Sequence, residues 1–130
     1  MVALLAAAAF CTGPQLRATL ELQSATGSLR GGALVHNAGR TCTLATTGAT
    51  IERPGSGTDL SWEPGFHAVL PHARTAWIPI VWRNWCGAPP TRFALQLRGG
   101  AVIAMRTTGA PRFDAAGRPT DLNVGRPAIR

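Results

Sequence analysis

The amino-acid sequence predicts an all-β fold, an antiparallel β-sandwich of about seven to nine short strands. Three observations carry this expectation. Several runs alternate apolar and polar residues with period two, the pattern of a half-buried strand. The chain holds 15 glycines and 10 prolines, which punctuate it too often for long helices. No segment sustains a helical period. A length of 130 residues suits a single core.

The elements follow in order. Gln15–Gln23 alternates cleanly, with Leu16, Ala18, Leu20 and Leu22 inward and Arg17, Thr19, Glu21 and Gln23 outward. After a polar turn at Ser24–Ser28, Leu29–Asn37 forms a second strand softened by Gly31 and Gly32. Asn37-Ala38-Gly39-Arg40 reads as a hairpin-type turn, because Asn and Gly tolerate positive φ. Thr41–Thr47 returns with Cys42 and Leu44 on one face, and Ala49–Arg53 is a short strand. Brief extended pieces at Leu60–Trp62 and Phe66–Leu70 surround a Glu-Pro-Gly break.

Thr75–Cys86 (TAWIPIVWRNWC) organises the rest. Ala76, Ile78, Ile80 and Trp82 share one face; Trp77, Pro79 and Val81 share the other. Pro79 has no N–H for a ladder, so the strand is expected at an edge or bulged there. Beyond a Pro-rich loop, Arg92–Arg98 alternates again, Gly99-Gly100 turns into Ala101–Met105, and Thr120–Gly125 closes the chain. The predicted core is Leu16, Leu20, Leu22, Val35, Leu44, Ile51, Ile78, Ile80, Trp82, Phe93, Leu95, Leu97, Leu122 and Val124.

Composition bounds the compartment and excludes several activities. Every basic side chain is arginine, giving a net charge of +7. The arginines are scattered singly from Arg17 to Arg130, which is a solvated surface rather than a nucleic-acid footprint. Three cysteines in so Gly- and Pro-rich a chain suggest an oxidising, extracytoplasmic compartment. Met1–Phe10 is apolar but lacks a basic start. It resembles the end of an export signal whose beginning is expected upstream, leaving residues 11–130 as the domain. No run reaches the length of about 20 apolar residues that a membrane span needs.

Cys11 after this segment raises acylation or a free thiol as fates for its sulfur, although Phe10 stands where lipidation signals place a small residue. His36, His67 and His72 form no ligand-spaced pair and Met105 is the only internal methionine, so no metal and no other cofactor is expected. There is no Gly-x-Ser-x-Gly elbow and no Gly-rich phosphate loop ahead of a helix, so no enzyme is expected.

Asn37-x-Gly39-x-x-Cys42-x-Leu44, an Ala76-led strand ending Trp82-Arg83-Asn84-Trp85-Cys86, and the closing Gly117 to Gly125 segment together resemble an actinobacterial secreted domain-of-unknown-function family, number forty-two thirty-two. The resemblance covers nearly the whole chain from Cys11. It implies an immunoglobulin-like sandwich in an exported or lipoprotein-associated setting, with no established activity. The chain departs from that pattern in lacking a fourth cysteine, where Phe113 stands, a proline after the Cys-x-Leu, and a Pro-Gly before the Ala-led strand. The retained cysteines of the pattern imply a Cys42–Cys86 disulfide, with Cys11–Cys42 as the alternative pairing. An immunoglobulin-like core would then pack Trp82 against the bridge.

Surface indoles bind glycans and apolar partners, so Trp77 and Trp85 are the candidate ligand-binding residues. The expected function is a non-catalytic extracytoplasmic cell-envelope module. Its partner would be an envelope protein, glycan or lipid, and not nucleic acid. The alternative is a spacer domain without a ligand. A contiguous exposed apolar patch around Trp77 and Trp85 would separate the two.

Overall fold

A computed structural model of the chain describes residues 9–25, 28–53, 57–61, 65–83, 92–106 and 121–130. A 3-10 turn at Gly13–Gln15 precedes β1 (Leu16–Ala25), β2 (Ser28–Asn37), β3 (Cys42–Arg53), β4 (Gly57–Ser61), β5 (Phe66–Leu70), β6 (Thr75–Arg83), β7 (Arg92–Leu97), β8 (Val102–Arg106), β9 (Asp121–Val124) and β10 (Ala128–Ile129). The fold is the expected all-β sandwich in two antiparallel sheets, but the described residues form ten strands and not the expected seven to nine.

One sheet runs β1-β2-β6, with β9 and β10 along the far edge of β6. The other runs β8-β7-β3, with β4 and β5 along the far edge of β3. Consecutive strands β2 and β3 thus lie in opposite sheets, β2 pairing with β6 and β3 with β7, which is the immunoglobulin connection. At the sides of the sandwich β1 approaches β8, and β4 and β5 approach β9 and β10.

The core fills from both inner faces. Val35, Ala33, Ile78, Ile80, Trp82, Leu122 and Val124 come from the first sheet, and Leu44, Leu70, Phe93, Leu95, Leu97, Ile103 and Met105 from the second. Leu20 and Leu22 pack at its margin, while the Ile51 side chain lies outside the described residues. Period-two alternation did its work, because one face of each strand could be buried only in one register.

Four expectations are corrected. Cys42 is bonded to Cys11, with Cα atoms 4.9 Å apart, and not to Cys86. The reason is topological. The Trp-rich strand β6 starts at the Cys42 end of the sandwich and reaches Arg83 only about 26 Å further along, in the sheet opposite β3. Cys86, Trp85 and Phe113 themselves lie outside the described residues. Cys11 is accordingly neither a free thiol nor available for acylation of its sulfur. The bridge also sits at the opposite end of β6 from Trp82, so the buried indole does not pack on it.

Lastly, Asn37–Arg40 is no hairpin: it carries the chain from one sheet to the other, and Gly39 does not have positive φ. The Gly99-Gly100 turn between β7 and β8 does, with φ of 95° and 88°.

Pro79 resolves differently. β6 is interior, but its neighbour bulges there. Ile80 faces Val124 and Trp77 faces Ala128, so residues 125–127 oppose only Ile78 and Pro79. Gly125 N–H donates to the Pro79 carbonyl at 2.8 Å. The missing proline N–H therefore points into the bulge, where no ladder bond is broken.

Candidate functional site

The Asn-x-Gly-x-x-Cys motif is structural. Asn37 is fully buried at the end of β2. Its Nδ2 donates to the carbonyls of Arg40 at 2.8 Å and Leu70 at 3.0 Å. Its Oδ1 accepts from Gly39 N–H at 2.9 Å and Gln15 Nε2 at 3.0 Å. The amide is thus saturated. Gln15 Nε2 also donates to the Arg40 carbonyl at 2.9 Å, and Gln15 Oε1 accepts from the Thr12 N–H at 3.0 Å. Gly39 is small because a Cβ there would come within 2.8 Å of Gln15 Cβ. These residues clamp the crossover to the Cys11–Cys42 end and leave no group over for chemistry.

Trp77 occupies the outer face of the first sheet. Cross-strand partners place Leu34, Trp77, Pro79, Val81 and Ala128 together there. Leu34, Trp77, Pro79 and Val81 are half-buried, forming an apolar stripe across the middle of the sheet. The indole lies over Gly32, where a Cβ would meet Cζ2 at 2.7 Å. The Arg130 guanidinium lies 5.0 Å from the indole ring centroid. A notch of about 330 Å³ beside it is lined by Glu21, Gln23, Arg30, Gly31 and Trp77. Trp85, the other candidate, lies outside the described residues, so the structure places only Trp77 on this face.

The outer face of the second sheet carries a cleft of about 240 Å³ that sequence reasoning did not find. It is lined by Phe10, Thr43, Ala45, His67 and Arg98, among others. His67 stood in the sequence only as a histidine without a ligand-spaced partner, and Phe10 as the end of an export segment and the residue before Cys11. Alternation along Phe66–Leu70 could have put His67 outward. The pairing of Phe10 with β3 needed the disulfide. His36 and His72 are engaged elsewhere, with Thr75 Oγ1 at 3.0 Å and the Gly39 carbonyl at 2.7 Å. Among the described residues no group of three or more His, Cys, Asp or Glu side chains is placed to hold a metal, and no helix is long and apolar enough to cross a membrane.

Together these features define an immunoglobulin-type β-sandwich with a disulfide-stapled end and two candidate binding faces. No protein-family model, no curated protein and no solved structure matches the chain.

Proposed function

We propose that this chain is a non-catalytic binding module of the extracytoplasmic space, secreted or associated with the cell envelope, and that it belongs with the secreted domain family it resembles. The half-exposed stripe Leu34–Trp77–Pro79–Val81 carries the proposal. Outward positions of a sandwich sheet are ordinarily polar, and β1 next to it obeys that rule with Arg17, Thr19, Glu21 and Gln23. A buried disulfide supports an oxidising compartment. The absence of a catalytic elbow in the sequence motivates the non-catalytic part.

The competing spacer function is favoured by one observation. Trp77 already has intramolecular work, covering Gly32 beneath the Arg130 guanidinium.

Retention of the oxidised chain on isolated cell-wall and membrane fractions tests the choice. Val81→Glu places a charge in the stripe without touching the core. Retention by the wild type that is lost in Val81→Glu, with the melting temperature unchanged, is the result expected of a module. No retention by the wild type, or equal retention by both proteins, leaves the spacer.

A further inference from the structure

We infer that the cleft beside the disulfide binds a small amphipathic anion, a carboxylate or phosphate head on a short apolar body. The site is separate from the Trp77 stripe, being on the outer face of the other sheet.

Two adjacent rows of side chains build it. In the first, β3 and β5 pair Ala45 with His67, and on the other side of β3 the Arg98 N–H donates to the Ala45 carbonyl at 2.8 Å. His67 and Arg98 therefore flank Ala45 across the sheet, about 10 Å apart at two strand spacings. Both are exposed while Ala45 is buried between them. In the second row Thr43 pairs with Val69 on one side and bridges Phe10 on the other. Val69 and Phe10 are 55% and 43% exposed. They are two of the four large hydrophobic side chains exposed among the described residues.

One row thus offers N–H donors over a small floor, and the next offers one apolar wall, Phe10, with Val69 exposed beyond the lining. Among the described residues no acidic side chain lines the cleft. No hydrogen bond or ion pair engages the Arg98 guanidinium or the His67 ring among the described residues. A guanidinium with its fork open matches a carboxylate or phosphate, and the neighbouring Phe10 wall selects an anion with an apolar flank over a bare one.

The phosphate or carboxylate can belong to a free metabolite or to a lipid headgroup, and the test separates these. The ¹⁵N-labelled oxidised chain is titrated with octanoate and phenyl phosphate, and in parallel with inorganic phosphate and with octanol. Saturable shifts at the amides of Thr43, Ala45, His67 and Arg98 are expected with the two amphiphiles, with Kd on the order of 1 mM for so small a ligand. Either half alone should bind more weakly. Arg98→Ala should weaken binding about tenfold or more, and Phe10→Ala, which removes the apolar wall, should weaken it as well. Val81→Glu should bind as the wild type does.

Phosphatidylglycerol vesicles that perturb the same four amides assign the anion to lipid. Binding of the soluble amphiphiles without vesicle binding assigns it to a free ligand. Shifts that are absent or lie outside the cleft, or binding undiminished in both Arg98→Ala and Phe10→Ala, would overturn the inference.

Discussion

Asn37 is the residue on which the crossover depends most. Its side-chain amide makes four hydrogen bonds to nitrogen and oxygen partners and a fifth, at 3.6 Å, to Cys42 Sγ, at zero exposure. Its main-chain N–H donates to the Arg74 carbonyl at 3.0 Å while its carbonyl accepts from Ala73 N–H at 2.8 Å. Removing the amide takes the side-chain donor from the buried Leu70 carbonyl and the acceptor from the part-buried Gly39 N–H, while Gln15 Nε2 and the Arg40 carbonyl keep each other. Asn37→Ala should therefore destabilise the fold by about 2–4 kcal/mol. A shift in the denaturant midpoint worth under about 0.5 kcal/mol would show that the network is solvated. The adjacent turn holds Ala73 at φ of 64°, a left-handed conformation. Ala73→Gly should be neutral or stabilising by up to about 1 kcal/mol, whereas Ala73→Val should lower the melting temperature. A lower melting temperature for the glycine variant would contradict the strained backbone. The sequence flagged Asn37 and Gly39 as turn residues for the wrong reason. Their chemistry is a side-chain clamp and a close approach to Gln15, neither of which local φ preferences encode.

Strand β6 shows how much an element's own residues can and cannot say. Its alternation placed Ala76, Ile78, Ile80 and Trp82 inward correctly, and all four are fully buried. Its position in the sheet was not legible, because Pro79 argues for an edge or a bulge and the bulge is supplied by residues 125–127, some 46 positions later. Gly32 was read only as a weak point in β2. It is the seat of the Trp77 indole, and a Cβ there would also meet the Ile78 carbonyl at 2.6 Å. Gly32→Ala should consequently lower stability by about 1–2 kcal/mol and raise the solvent exposure of Trp77. Iodide quenching of indole fluorescence checks the second effect; unchanged quenching would mean that the ring does not rest on Gly32. Trp82→Ala, by contrast, should leave a cavity and cost about 3–5 kcal/mol. The comparison separates the packing indole from the surface one.

At the scale of the whole molecule, the two sheets and most of the core were legible because each alternating strand has one face that must be buried. The disulfide was not, since pairing depends on which sheet each strand joins. Strand propensities leave that open. Topology puts Cys11 beside Cys42: Cys11 N–H donates to the Thr43 carbonyl at 3.0 Å and Thr43 N–H donates to the Ala9 carbonyl at 2.8 Å. The bridge thereby holds a short parallel strand-like segment against β3, and that segment carries Phe10. With its cysteines 31 positions apart, the loop closure is worth about 4 kcal/mol in the chain-entropy model. Reduction should lower global stability by an amount of that order. It should also have a local effect that stability alone does not report. Two backbone hydrogen bonds at a segment end are weak without the covalent tether, so Phe10 should leave its wall of the cleft before the sandwich unfolds. Hydrogen exchange on the reduced chain under native conditions reads this directly. The Cys11 and Thr43 amides should exchange faster while those of β6 and β7 stay protected. If the Thr43 amide keeps its protection after reduction, the disulfide fixes the fold but does not hold Phe10 in the cleft.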